Sequence, residues 1–254
     1  MTEASAKMYG LIGYPLGHSF SAKYFNEKFA EEGIDNSYRL FPLQSIDELG
    51  NLLESYPALR GLNITIPYKE KVIPFLSDIS PEALAIGAVN VIKINNYNEG
   101  RIPILSGYNT DWKGFSLSLI PLLNESVKSA LVLGTGGASK AVCYALKRLG
   151  ITPHLVSRSH SSGEYTYKDL NEDIIKENLL IVNTTPLGMS PNVESCPDIP
   201  YHCLTDRHIC YDLVYNPLET EFMKRSAHYG ATVKNGLEML HRQAELSWEI
   251  WNAR

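Results

Sequence analysis

The chain has no run of 18 apolar residues, so nothing in it is long and apolar enough to cross a bilayer as a helix. Met1 to Lys7 lacks the apolar core of a secretory leader, and the expected compartment is the cytoplasm. Basic residues are in deficit: 23 Lys and Arg against 28 Asp and Glu give a net charge of −5. With no basic tract to offset that charge, a nucleic-acid partner is disfavoured. Cysteine is sparse. Cys203 and Cys210 lie near His202 and His208, but there is no C-x-x-C or H-x-x-x-H pair and the spacing fits no zinc module. Reduced thiols and no metal are the expectation. No internal repeat or low-complexity tract stands out. What remains is a 254-residue chain, 44% hydrophobic and 20% charged, that can bury a full core in one domain or two. Its expected partner is a small molecule, not a membrane, with the chain a monomer or homodimer.

The stretch Leu131-Val132-Leu133-Gly134-Thr135-Gly136-Gly137-Ala138-Ser139 is the most specific feature present. A short apolar run ends in two glycines one residue apart, and a helix-forming stretch (Lys140 to Leu149) follows. That is the strand, glycine turn, helix order of a dinucleotide-binding unit, whose helix N-terminus offers N–H donors and positive dipole to a pyrophosphate. Ser139 replaces the usual third glycine, so a plain strand-to-helix turn is the competing reading. A second strand-like run, Thr152 to Val156, ends where NAD-binding units place an acid for the ribose 2′-hydroxyl. Here the chain reads Ser157-Arg158-Ser159, and an arginine flanked by hydroxyls suits a 2′-phosphate, hence NADP.

Patterning elsewhere alternates strands and helices, which implies an α/β layer structure with mainly parallel sheets. Strands are expected at Tyr9 to Ile12, Ser37 to Phe41 and Gly61 to Ile66, with helices at Ser21 to Glu32 and Ile46 to Ser55. Pro67 suits the first turn of a helix after the third strand. Two further strands, Gly87 to Ile94 and Ile102 to Gly107, flank a polar turn at Asn95 to Gly100. A helix from Trp112 to Leu123 leads into the glycine unit. Strand-like runs follow at Leu179 to Asn183, Ile209 to Val214 and Ala231 to Val233, and a helix at Gly236 to Trp251 closes the sequence. The expected division is a first domain, 1–111 with 237–254, and a Rossmann-like domain, 112–236.

Several polar loops sit at the ends of these strands, where open α/β sheets bind ligands. In Gly13-Tyr14-Pro15-Leu16-Gly17-His18-Ser19-Phe20-Ser21, the serines Ser19 and Ser21 either hold an anion or cap a helix. In Asn63-Ile64-Thr65-Ile66-Pro67-Tyr68-Lys69, Asn63 and Thr65 share one face of the strand. Lys69 falls in a first helical turn that the helix dipole disfavours for a cation, which hints at function against the plainer reading of a solvated lysine. In Gly107-Tyr108-Asn109-Thr110-Asp111, any of the last three is a candidate helix cap. Asn90, within Gly87-Ala88-Val89-Asn90, needs hydrogen-bond partners from protein or ligand if buried.

Together these segments resemble the shikimate dehydrogenase family, in order and spacing, over nearly the whole chain. Asn183-Thr184-Thr185-Pro186-Leu187-Gly188-Met189, Asp212-Leu213-Val214-Tyr215-Asn216-Pro217 and the run from Gly236 through Met239 to Gln243 and Ala244 extend the match. The resemblance implies NADPH-dependent, reversible reduction of 3-dehydroshikimate to shikimate, a step of aromatic amino-acid (chorismate) biosynthesis. It implies a first domain for substrate and a Rossmann-like domain for NADP. By position it assigns the substrate carboxylate to Ser19 and Ser21, catalysis to Lys69 and Asp111, and the ring hydroxyls to Asn63, Thr65, Asn90 and Gln243, with Tyr215 close by. Cofactor contacts fall to Gly134, Gly136, Gly137, Ala138, Ser157, Arg158, Thr184, Val214, Gly236 and Met239. The chain departs from the family pattern at Ala22, where proline is usual, and at Ser157-Arg158-Ser159, where Asn-Arg-Thr is usual. It also lacks a second basic residue after Arg158. The alternatives are a quinate/shikimate dehydrogenase and a catalytically silent dinucleotide-binding regulator on the same fold.

Overall fold

The computed structural model describes residues 6–17, 19–95 and 103–253. His18, the start of the chain through Ser5, Ile102 and the polar turn beyond Asn95 lie outside the described residues. The chain divides into two compact units, Met1–Thr110 with Ala244–Arg254, and Asp111–Gln243.

The first unit is built on β1 (Met8–Gly13), α1 (Phe20–Glu31), β2 (Ser37–Pro42), α2 (Leu49–Ser55), β3 (Leu59–Ile64), β4 (Asp78–Ile79), α3 (Pro81–Ile86), β5 (Val91–Asn95) and β6 (Ile104–Tyr108). Its six strands run in the order β2-β1-β3-β5-β6-β4. β1 pairs in parallel with β2 and β3, and β4 with β6, while β5 is antiparallel to both β3 and β6. One face packs on a cluster including Ile12, Leu49, Leu59, Leu62, Val72 and Ile92. The other carries an aromatic group of Tyr9, Phe25, Phe29, Tyr38 and Trp251.

The second unit holds α4 (Asp111–Leu119), β7 (Ser129–Leu133), α5 (Gly137–Arg148), β8 (Thr152–Ser157), β9 (Tyr165–Thr166), α6 (Glu172–Glu177), β10 (Leu180–Asn183), β11 (Ile209–Asp212), α7 (Glu221–His228) and β12 (Thr232–Lys234). The last helix, α8 (Leu237–Asn252), begins in this unit and ends in the first. The sheet order β12-β11-β10-β7-β8-β9 is parallel throughout, as expected of a doubly wound dinucleotide fold. Both faces are covered, so β7, β10 and β11 read as continuous apolar runs, not as alternating ones.

Two local expectations are corrected. No α-helix follows Pro67: residues 69–72 form turns, and a 3₁₀ turn closes the segment at Ile73–Phe75. The Lys69 carbonyl, which a helix would spend on residue 73, instead accepts the Val89 N–H at 2.7 Å. Lys69 is therefore not opposed by a helix dipole. Nor is Gly87–Asn90 strand. Ser80 caps Ala83, Pro81 takes the first helical position and Gly87 closes α3 with φ of +72°, so the strand begins only at Val91.

Gly61 shows what fixes the last helix. A Cβ there would lie 2.2 Å from Trp251 Nε1, and that indole donates to the Ile92 carbonyl at 3.0 Å. The strand gives up a side chain so that the indole can lie on its backbone. Gly61→Ala is expected to destabilise the protein by about 2–3 kcal/mol through overpacking. In a Trp251→Ala background, itself costing about 3–5 kcal/mol, the same change should cost under about 1 kcal/mol. Urea denaturation of the four proteins checks this, and additive losses would refute the clash.

Candidate active site

In the second unit, Leu133 ends β7 and Gly134 turns the chain with φ of +105°, a conformation that side chains strongly resist. A Cβ at Gly134 would also stand 2.9 Å from Thr184 Oγ1 and 3.0 Å from Thr185 Cγ2. The turn is pinned by the Gly134 N–H to the Val156 carbonyl at 2.9 Å. Thr184 is tied to the same strand end, its N–H and hydroxyl both donating to the Leu133 carbonyl at 2.9 and 2.7 Å. Gly136 is the N-cap of α5, and Gly137 and Ala138 open the helix, presenting N–H groups with no intrahelical partner. Ser139 is buried and donates to the Gly136 carbonyl at 2.6 Å, so it closes the turn where a glycine was expected.

At the end of β8, Ser157 is buried and its hydroxyl donates to the Ser159 carbonyl. It also accepts the Ser159 N–H at 3.1 Å. Arg158 projects between them, exposed, with no ion-pair partner among the described residues. No acid occurs in Ser157-Arg158-Ser159 itself, and Asp169, across the neighbouring strand, is occupied by the Thr166 N–H and hydroxyl. Val214, Gly236 and Met239 lie at the next strand ends and the start of α8, where the Gly236 N–H donates to the Val214 carbonyl at 3.1 Å.

Between these loops lies a feature that the sequence did not disclose. Asp212, fully buried at the end of β11, accepts from Asn183 Nδ2 at 2.9 Å, the Val214 N–H at 3.0 Å and the Thr220 hydroxyl at 2.6 Å. Asn183 in turn accepts the Thr185 N–H and hydroxyl, and Thr220 caps α7 by accepting the Met223 N–H. One carboxylate thus organises the loops bearing Thr184 and Val214. Burial pushes its pKa up to about 6, the three donors opposing that rise.

In the first unit Tyr38, Asn63, Asn90, Thr110 and Ser247 form one hydrogen-bonded set. Ser19 is the N-cap of α1, but its side chain makes no capping bond, so its hydroxyl is not spent on the helix. Tyr38 donates to Asn63 Oδ1 at 2.8 Å, and Asn63 Nδ2 donates to Ser247 Oγ at 3.1 Å and to the Asn90 carbonyl at 3.4 Å. Asn90 is buried with protein partners: its Nδ2 donates to Thr110 Oγ1 at 2.9 Å and its Oδ1 accepts the Thr110 N–H at 2.7 Å. The Thr110 and Ser247 hydroxyls are 3.4 Å apart. Asn109 Nδ2 donates to the Ala88 carbonyl, so Asn109 and Thr110 hold the α3–β5 connection. Thr65 lies one residue beyond β3 and Lys69 in the turn that follows, both half-buried. Asp111 is the buried first residue of α4 and belongs to the second unit, with Tyr215 and Gln243. Sequence reasoning missed Tyr38, Ser247 and Asp212. Asp212 stood in a segment that carries the family resemblance but was given no role, and Ser247 lay four residues past Gln243 on one helix.

Comparison with known proteins decides the family. Residues 11–92 match the family model of the shikimate dehydrogenase substrate binding domain. Shikimate dehydrogenase (NADP(+)) of Carboxydothermus hydrogenoformans is 39% identical over 263 residues, covering 96% of this chain and 91% of that protein. The chain belongs to the shikimate dehydrogenase family. The crystal structure of the Thermus thermophilus shikimate 5-dehydrogenase, in complex with NADP(H) and shikimate, is 32% identical with a TM-score of 0.82, covering 97% of this chain and 93% of that one. Quinate dehydrogenase from Corynebacterium glutamicum, in complex with NAD, is 28% identical with a TM-score of 0.85, covering 97% and 94%. No group of His, Cys, Asp and Glu able to hold a metal occurs among the described residues, and none of their helices is long and apolar enough to cross a membrane.

The raised pKa of Asp212 has a signed consequence. Because the folded state binds this proton more tightly than the unfolded chain (about 6 against 3.8), stability falls as pH rises through that window. Two units correspond to about 3 kcal/mol. Asp212→Asn cannot titrate, so the stability gap between wild type and variant should narrow by about 2 kcal/mol between pH 4.5 and 7, where most of that difference falls. Urea denaturation along that range tests it, and a gap that widens with pH would show the carboxylate stabilised, not strained.

Proposed function

We propose that the chain is an NADP-dependent oxidoreductase acting on a CH–OH group, catalysing the reversible NADPH-dependent reduction of 3-dehydroshikimate to shikimate in aromatic amino-acid biosynthesis. The full-length similarity to shikimate dehydrogenases carries this reading, including one solved with both NADP(H) and shikimate. It is supported by the Gly134 turn at the N-terminus of α5 and the acid-free Ser157-Arg158 strand end. In this reading most substrate contacts come from the first unit, while the second binds the cofactor, which in its reduced form supplies the hydride when bound, and adds Tyr215 and Gln243 to the substrate.

The residues then divide the work. Ser19 and Ser21 hold the substrate carboxylate. Asn63, Thr65, Asn90, Gln243 and Tyr215 hold the ring. Gly134, Gly136, Gly137 and Ala138 cradle the pyrophosphate with backbone N–H groups. Ser157 and Arg158 take the 2′-phosphate, and Thr184, Val214, Gly236 and Met239 line the remainder of the cofactor. Lys69 carries three N–H donors and no acceptor. It protonates the substrate oxygen as that oxygen becomes an alkoxide, with Asp111 acting in the same proton-transfer unit.

A second reading is favoured by the likeness to quinate dehydrogenase: oxidation of quinate with NAD. Absorbance at 340 nm with shikimate and quinate, each against NADP+ and NAD+, separates the two. Quinate with NAD+ as the better pair would overturn the first.

Two variants probe the roles. Lys69→Ala should lower kcat by at least about 10²-fold while the KM for shikimate moves little. Adding Asp111→Asn should cost little more than the worse single change, because members of one unit are not additive. Near-normal kcat in Lys69→Ala, or losses that multiply, would remove the pair. Arg158→Ala should raise the KM for NADP+ far more than that for NAD+, through loss of a charge-assisted phosphate contact. Equal changes would show that Arg158 does not read the phosphate.

A further inference from the structure

Asn63 has almost no freedom in how it presents its amide. The Asn90 carbonyl can only accept, so the side-chain nitrogen of Asn63 must face it, and the oxygen must face Tyr38. Both N–H bonds are then committed, one to the Asn90 carbonyl and one to Ser247 Oγ. The oxygen accepts the Tyr38 hydroxyl and keeps one lone pair. The Tyr38 proton points to Asn63, which fixes the direction of the chain Tyr38 to Asn63 to Ser247. Burial holds the Tyr38 phenol well above its ordinary pKa, so it remains a donor throughout the working range.

We propose that Tyr38 and Ser247 are positioning residues that make Asn63 an acceptor only, and thereby restrict it to a substrate hydroxyl that does not react. This rests on the substrate-binding reading above and goes beyond it. The reacting oxygen alternates between hydroxyl and carbonyl, and a carbonyl has no proton to give. A contact that can only accept would be lost in one of the two states. It serves a bystander hydroxyl that stays the same in both directions, while the reacting oxygen needs a donor. Ser247 reaches Asn63 because α8 returns to the first unit, and Tyr38 reaches it from β2, next but one to β3 in the sheet.

The test uses the full-length protein. Ser247→Ala leaves one Asn63 N–H without its partner, and Tyr38→Phe removes the donor that holds the amide oxygen in place. Each should raise the KM for shikimate roughly ten-fold, with kcat within about three-fold and the KM for NADP+ within about two-fold, because the lost contact is the same in ground and transition states. Ser247→Thr keeps the hydroxyl and should restore the shikimate KM. A shikimate KM unchanged in both variants, or an equal rise for both substrates, overturns the proposal whatever happens to Tm. If Ser247→Ala does not fold, Tyr38→Phe decides. The Asn63 side-chain amide proton resonances give a readout independent of turnover. Two hydrogen-bonded, slowly exchanging protons that loosen in each variant support the fixed amide even if wild type fails to oxidise shikimate, which would sink only the functional reading. Fast exchange in wild type sinks the fixed amide itself.

Discussion

The first unit depends on an indole lying on a bare strand. Trp251 occupies the space that a side chain at Gly61 would fill, gives its N–H to the Ile92 carbonyl, and stacks on Tyr9 with ring centroids 4.8 Å apart. Phe25 and Tyr38 extend the cluster, stacked at 4.9 Å. Such aromatic pairs add about 0.5–1.5 kcal/mol each beyond the area they bury, but their structural effect is larger than that sum. They set the rotation of the last turns of α8 over β3. One turn before Trp251, the same helix puts Ser247 against Asn63 and Thr110. The hydrophobic anchor and the polar network are therefore one arrangement: the indole fixes the helix, and the helix fixes the amide.

The second unit solves a similar problem by different means. Parallel strands end in loops whose backbone groups lie beyond the ladder, and each must be held without a partner strand. Asp212 does this for three segments at once. Burying an unpaired carboxylate is costly, which is why burial raises its pKa, and the three donors from Asn183, Val214 and Thr220 offset much of that cost. The strain that remains is local. It keeps Thr184 and Val214 in place at the rim where a doubly wound sheet receives its ligand.

Most elements are legible because periodicity, caps and glycine turns agree with one another, as in β1, α1, β7, α5, β8 and α8. The failures have specific causes. After Ile64 the chain reads as helical from Pro67 onward, yet Pro74 cuts the segment short and the Lys69 carbonyl is taken by the Val89 N–H, so only turns form. Gly87 to Asn90 reads as strand because its residues are mostly apolar, when Ser80-Pro81 and Gly87 mark the two ends of α3. The short elements α6 and α7 and the two-residue strands β4 and β9 have too few residues for a period to show. Within the site, Ser21, Asn63, Asn90 and the Gly134 turn stand out as polar residues or glycines at strand ends. Tyr38 does not, because an aromatic residue alternating in a strand reads as core, and it is core by burial as well as a donor by chemistry.

That double character bears on how such a pocket discriminates. A surface asparagine rotates its amide to suit whatever approaches, and so recognises donors and acceptors alike. Between an obligate acceptor on one side and a phenol on the other, the Asn63 amide has lost that choice. A ligand that offers a carbonyl to its remaining lone pair meets repulsion and leaves buried groups unpaired, and that mismatch is the strongest discrimination available to an uncharged contact. Lys69 has the opposite restriction, since an ammonium only donates. If both residues meet the substrate as proposed, one whose reacting oxygen alternates between hydroxyl and carbonyl, among hydroxyls that do not change, suits the two kinds of restricted group. The direction in which the ring can lie then follows from which atoms are able to donate.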